Sequence, residues 1–225
     1  MKKESKAFLM NLLRTIGPSG FENEPAEVWK KEARKFSDRV TADCHGNVIA
    51  VVNAGGSPRV MLAGHVDEIG FMVSHIDEQG FVWFQAIGGW DVQVVVGQRV
   101  CIRGEKGRVT GVVGKKAIHL LQEADRTKAS KIEELWVDIG AKDRKEAQKR
   151  VGIGDPMVLA WNPEELGSDR IVSRGLDDRA GAFVSLETAR MLSRLKPKAE
   201  IHAVATVQEE IGLRGAHTSA YGIDP

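Results

Sequence analysis

Two apolar runs, VMLAGH at residues 60–65 and IHAVATVQEE at residues 201–210, each stop abruptly on side chains that bind cations or move protons. Runs of this kind read as buried strands of an α/β sheet. In an open α/β sheet, ligands bind in the crevice outside the carboxyl ends of the strands. The two ends can therefore meet although they are far apart in sequence. A third motif, GLDDRAG at residues 175–181, opens a helical pattern in which Phe183, Leu186, Ala189 and Leu192 form one buried stripe. That pattern leaves Asp177 and Asp178 at the start of the helix, Asp177 just ahead of it, with a rigid element behind them.

Singly, these residues have plain explanations. A lone His65 is most often a hydrogen-bonded, partly buried histidine, and paired acids are most often solvated charges or helix-start residues near the macrodipole. Three such motifs, each following apolar sequence and each flanked by glycine, favour a shared site instead. His, Asp and Glu together suit a borderline divalent ion such as Zn2+, Co2+ or Mn2+. The spacing His65-x-Asp67 fits a ligand and the carboxylate that fixes its tautomer, because a metal-bound imidazole usually gives its other N–H to such a partner. Consecutive side chains leaving a strand point to different sides, so Glu209 and Glu210 are expected to divide the work, one binding metal and the other handling protons.

The remaining sequence supplies the frame. Residues 1–17 carry apolar side chains at helical spacing, interrupted by Asn11 and Arg14, unlike a secretory leader. FENEPAEVWKKEARKF reads as a second helix, followed by a strand pair turning at His45-Gly46-Asn47. From Ile69 onward the texture changes to short β-rich runs broken by glycine, which predicts a mainly β domain over residues 68–164 inserted into an α/β domain of residues 1–67 and 165–225. Residues 143–150, DRKEAQKR, read as a solvated helical face. A formal charge of +1 gives no basis for attraction to nucleic acid or to a membrane surface. No apolar stretch approaches the roughly 20 residues that span a bilayer. Cys44 and Cys101 are far apart and read as inert thiols in a reducing compartment, so a cytoplasmic location is expected. Trp83, Trp90 and Trp136 are expected in the core before any subunit contact.

The segments GHVDEIGFMV, FQAIGGWD, VDIGA, GIGDPMV, GLDDRAGAF and VQEEIGLRGA resemble the glutamyl aminopeptidase family of two-metal peptidases, which includes the tetrahedral aminopeptidases. The resemblance implies a three-layer catalytic domain with a mixed sheet, interrupted by the β domain. It implies that His65 binds one divalent ion, Asp177 bridges two, Glu210 binds the second and Glu209 is the general base. Asp67 would orient His65, and Asp178 would stand just behind the ligands. It further implies two Zn2+ or Co2+ ions, peptide substrates and a homo-oligomer. The family also draws a carboxylate from a later strand and a histidine from near its C-terminus. With the sequence ending at Pro225, the C-terminal part of the catalytic domain is expected to be absent, and His75, His119, His202, His217 and Asp224 lack the placement to substitute. Two other readings compete: an inactive remnant serving as an assembly subunit, and a glycosidase built on paired carboxylates, which leaves His65 and Asp67 unexplained.

Overall fold

The computed structural model describes residues 1–123 and 126–225. They form two units, one of residues 1–68 and 162–225, the other of residues 69–161. The first is built on a four-stranded sheet in the order β1 (Arg39–Ala42), β2 (Val48–Val52), β12 (Glu200–Thr206), β3 (Arg59–His65). The pairs β1–β2 and β2–β12 are antiparallel, whereas β12 and β3 are parallel and in register, with His65 opposite Thr206.

Strand periodicity decides what covers the sheet. Val48, Ala50 and Val52 share one face with Ile201, Ala203 and Ala205, and there they meet Leu12, Trp29 and Leu186. Those three come from helices α1 (Lys3–Leu13), α2 (Asn23–Ala33) and α4 (Leu176–Leu195). Fully burying a side chain such as Leu12 or Leu186 contributes roughly 1.5–3 kcal/mol. Helix α5 (Arg214–Ile223) packs on β12 and β3 from the other face, where Val51 and His202 share a cavity wall with Ile223. Covered on both faces, β12 is buried from Ile201 to Thr206. This is a mixed α/β layering. A short hairpin of β10 (Glu164–Leu166) and β11 (Arg170–Val172) completes the unit.

Gly64 is where β3 and α4 come closest. A methyl group there would stand 2.2 Å from Ala182 N and 2.4 Å from Gly181 C, both backbone atoms that cannot swing aside. The helices are tied to one another as well. Trp29 Nε1 donates to Ala182 O at 2.9 Å. Arg190 reaches Glu32 at 2.6 Å and Glu187 at 2.9 Å while its guanidinium lies 4.7 Å from the centre of the Phe36 ring.

The second unit is a closed barrel of six strands in the order β4 (Gly70–Ile76), β5 (Val82–Ile87), β8 (Leu135–Asp138), β7 (Gly107–Lys115), β6 (Arg99–Gly104), β9 (Pro156–Leu159). Alternation turns Phe71, Val73, Val82, Phe84, Val100, Ile102 and Val137 into its interior. Trp90 joins that core, stacking on Phe71 with centroids 4.4 Å apart. Trp83 and Trp136 do not enter it. They sit half-buried side by side, 5.8 Å between centroids, because their neighbours Val82 and Val137 take the inward positions. Residues 144–148 form α3 (Arg144–Gln148), whose start is capped by Asp143 accepting from Glu146 N. Among the described residues no helix is long and apolar enough to cross a membrane.

Two outcomes follow for stability. Gly64→Ala should lower the urea midpoint by the equivalent of about 1–3 kcal/mol or more, read by far-ultraviolet dichroism, since β3 and α4 must part to admit the methyl; an unchanged midpoint would refute the close approach. For Glu32, burial alone would raise the carboxyl, but the hydrogen bonds and charges of Lys35 and Arg190 outweigh it and hold the group below its ordinary 4.5. The native state thus favours the carboxylate. Its stabilisation is complete above the ordinary value and is lost as pH falls through the lower native value. The stability gap between the parent and Glu32→Gln should therefore be widest at neutral pH and narrow as pH falls below the ordinary 4.5.

Candidate metal centre

Because β3 and β12 run parallel with His65 opposite Thr206, both deliver their carboxyl ends to the same place. His65 is the last residue of β3, and Glu209 and Glu210 lie in the turn just past β12. One donor atom from each of His65, Glu209 and Glu210 lies within 4.8 Å of the others. The imidazole Nε2 stands 3.4 Å from Asp177 Oδ1 and 3.5 Å from Glu209 Oε2. His65 is buried and the two glutamates are half-buried, whereas the Asp177 side chain stands open to solvent at the rim.

The other imidazole nitrogen is held from behind. Nδ1 lies 3.2 Å from the Asp67 carbonyl oxygen and 3.4 Å from Asp67 Oδ1. The fully buried Asp67 carboxylate accepts from Ser19 Oγ at 2.6 Å and from the backbone N–H groups of Glu209 and Glu210 at 3.2 Å each. One side chain therefore lies against the histidine and anchors the loop that carries both glutamates. Asp178 has a different position: its Oδ1 accepts from Gly181 N at 2.9 Å and closes the first turn of the regular helix. Asp177 and Asp178 precede that turn with non-helical backbone angles and are joined by a cis peptide.

The alternation expected for Glu209 and Glu210 does not hold. β12 ends at Thr206, and from Val207 onward the N–H groups go to side chains of other segments rather than to a neighbouring strand. Freed from the pleat, the two carboxylates turn to the same spot. Among the described residues, no other histidine of this unit joins the cluster. His75 is exposed on β4, His119 lies exposed in a short 3-10 turn of the barrel unit, and His217 is exposed on α5. His202 pairs through Nε2 with Glu200 Oε1 at 2.6 Å. His45 lies in the β1–β2 turn and Asp224 caps α5.

Charge dominates this corner. Burial acts to lower the His65 pKa, but the hydrogen bond and charge of Asp67, with Glu209 and Asp178, lift it to about 9. Burial would raise Asp67, yet bonds from His65, Ser19 and the two loop N–H groups hold it below 3.8. Glu210 goes up from 4.5, first through burial, with His65 opposing and the carboxylates of Asp177, Asp67 and Glu209 adding to the rise. A field that retains a proton this firmly also attracts a cation. The donor spacing suits one: ligand bonds of about 2.0–2.2 Å in a tetrahedral shell put neighbouring donors roughly 3.3–3.6 Å apart. The pairs around Nε2, at 3.4 and 3.5 Å, fall in that interval. With Nδ1 facing Asp67, Nε2 is the nitrogen left to bind. The residues present fit a divalent ion.

Beneath the site lies a second ionic group whose carboxylate member is not distinguished by sequence. Glu68 is buried between Arg174 and the fully buried Arg179, whose Nη2 donates to Glu68 Oε1 at 2.9 Å. Arg179 also donates to Val66 O at 2.9 Å and Thr15 O at 3.0 Å, so it ties α4 to the end of β3 and to the chain leaving α1. The signal for Glu68 is faint, since it reads as one more acid beside Asp67. Ser19 is likewise silent in sequence.

Residues 46–225 match the M42 glutamyl aminopeptidase family, and the chain belongs to that family. The lysyl aminopeptidase of Pyrococcus furiosus is 38% identical over 224 residues, 96% of this chain and 63% of that protein. The glutamyl aminopeptidase of Lactococcus lactis is 30% identical over 92% of this chain and 60% of its own length. The TET aminopeptidase from a marine sediment Thaumarchaeota archaeon superposes with a TM-score of 0.95 at 37% identity, covering all of this chain and 64% of its own. The chain thus spans less than two thirds of the relatives it matches.

Glu68→Gln should leave the Arg179 guanidinium buried without its counter-charge and cost about 3–5 kcal/mol in urea unfolding. A loss under about 1 kcal/mol would show that the pair is not a buried one.

Proposed function

We propose that the unit of residues 1–68 and 162–225 carries the catalytic residues of a two-metal aminopeptidase that releases N-terminal amino acids from peptides, and that the barrel is its inserted domain. What carries this reading is the convergence of His65, Glu209 and Glu210, with Asp177 beside them, at the ends of two parallel strands, around an imidazole whose far nitrogen Asp67 already occupies. In this reading His65, Asp177 and Glu210 would hold two divalent ions, Zn2+ or Co2+, with Asp177 shared between them. When bound, the ions supply Lewis acidity at the scissile carbonyl and favour ionisation of the attacking water.

The chain's own residues do the rest. Asp67 keeps the proton of His65 on Nδ1, so that Nε2 presents its lone pair. Glu209 takes a proton from water as the oxygen adds to the carbonyl carbon, and returns it to the amine nitrogen as the C–N bond breaks. Asp178 and the Glu68–Arg179 pair fix the backbone from which Asp177 projects. The P. horikoshii relative whose solved structure has a TM-score of 0.88 to this chain at 31% identity assembles into a tetrahedron or a large octahedral shell. A homo-oligomer of cytoplasmic subunits, without nucleic acid or membrane partners, is the matching proposal here.

Co2+ or Zn2+ added to the metal-free chain should raise its melting temperature, and the rise should vanish in His65→Ala and shrink in Asp177→Asn. No rise in the parent would sink the reading. In a full-length catalytic domain containing this segment, Glu209→Gln should lower kcat on aminoacyl chromogenic substrates by about 100-fold or more with cation binding retained; turnover of glycosyl substrates instead would point to carboxylate-pair chemistry.

A further inference from the structure

Four consecutive N–H groups of the loop that carries Glu209 and Glu210 are each taken by a side-chain oxygen from elsewhere in the fold. Val207 N donates to Asn47 Oδ1 at 3.0 Å and Gln208 N to Glu22 Oε1 at 3.1 Å. Glu209 N and Glu210 N go to the two oxygens of Asp67, at 3.2 Å each. The carbonyls are spoken for too: Val207 O accepts from Gly215 N, Gln208 O from Arg214 N, and Glu209 O from Gly212 N and Leu213 N. Surface loops ordinarily leave such groups to water. Here the backbone is fixed from both sides.

Within this set, Gln208 is the residue that needs support. Its φ is 56°, the left-handed region that non-glycine residues avoid and keep only where surrounding structure over-determines it. The acceptor aimed at its N–H is Glu22, 7% exposed, which stands at the start of α2 and also accepts from Gly20 N at 2.7 Å. Asn47 is fully buried, and its amide nitrogen is pinned by Asp43 Oδ2 at 2.7 Å and Thr218 Oγ1 at 2.9 Å, which aims Oδ1 at Val207. Gly215 fits against this arrangement only because it has no side chain, since a methyl there would lie 2.3 Å from Asn47 Oδ1 and 2.4 Å from Val207 O.

We infer that Glu22 is a positioning residue: its buried carboxylate, with Asn47 on the preceding N–H, holds Gln208 in the left-handed conformation that turns the Glu209 and Glu210 carboxylates toward His65. Asp67 alone cannot do this. It fixes the N–H groups after the bend, while Glu22 fixes the bend itself. The consequence for function rests on the metallopeptidase reading, whereas the structural part does not.

The test compares Glu22→Met, which keeps the length and loses the acceptor, with Glu22→Gln, which keeps an acceptor oxygen. Amide hydrogen exchange in the metal-free chain is read residue by residue, and Co2+ affinity is read from its visible absorption. Glu22→Met should speed exchange at Gln208, Glu209 and Glu210 about tenfold or more, the loss of one charge-assisted hydrogen bond, with β12 unchanged, and should weaken Co2+ by a similar factor. Glu22→Gln should restore both to within about threefold. Parent-like exchange in Glu22→Met, equal behaviour of the two variants, or a loss of protection spread over β12 and α4 up to failure to fold would each overturn the inference. If the parent itself takes up no Co2+, the metallopeptidase reading fails while the exchange comparison still decides the role of Glu22.

Discussion

The parallel pairing of β12 with β3 is the constraint on which the rest of the molecule depends. Placing Thr206 beside His65 brings the histidine and the QEE loop to one edge of the sheet, although the whole barrel unit lies between them in the chain. A parallel pair must be covered on both faces, and the small residues of these strands allow close cover. Ala203 and Ala205 pack under the helices, and Gly64 lets the α4 backbone press against β3. The same contact that fills the core thus sets where the chain ahead of α4 presents Asp177. Packing and site geometry are one requirement here.

At that edge, buried acids are arranged by what they accept. Asp67, fully buried, takes Ser19, the histidine and two backbone N–H groups, and Glu68, its neighbour in sequence, takes two arginines on the other side. A buried carboxylate is tolerable only when its acceptor sites are filled, and both meet that condition with groups from distant segments. Glu209 and Glu210 do not meet it in the same way. Their backbones are anchored, but their carboxylates face the imidazole and one another, which leaves acceptor capacity directed at the space between them. This difference separates the acids that hold the fold from those free to take a ligand.

Much of this was legible in the sequence, for a physical reason. Apolar runs and the periods of helix and strand report burial directly, so the two strands, the helix behind Asp177 and the opening helices could all be read. The His65-x-Asp67 spacing carried its meaning locally, since both residues sit on one stretch of chain. What could not be read was set by contacts across the fold. The strand was expected to run to Glu210, because a run of apolar residues does not announce that Asn47, Glu22 and Asp67 will capture the N–H groups of its last residues. The alternation of Glu209 and Glu210 failed with it. Trp83 and Trp136 were expected in the core, but their strands' period gives the inward positions to Val82 and Val137.

The charge balance of the corner explains why such a site needs an occupant of positive charge. Asp67, Asp177, Asp178, Glu209 and Glu210 gather near one imidazole, and burial strips Asp67 fully, and the two glutamates in part, of the water that would screen their repulsion. In the metal-free chain a proton on His65 is the nearby compensation, and the bonds and charges of Asp67, Glu209 and Asp178 make that proton hard to remove. A divalent ion at Nε2 would supply twice the charge to the same carboxylates and release the proton. The loop would then be held both from behind, through its N–H groups, and from in front, through its carboxylates. Because the first hold already exists in the chain alone, a cation would meet donors whose backbone is set, and the ordering cost that weakens flexible sites would fall mainly on side-chain torsions. The investment of three buried polar side chains in one short loop is consistent with a site whose affinity depends on having its ligands aimed beforehand.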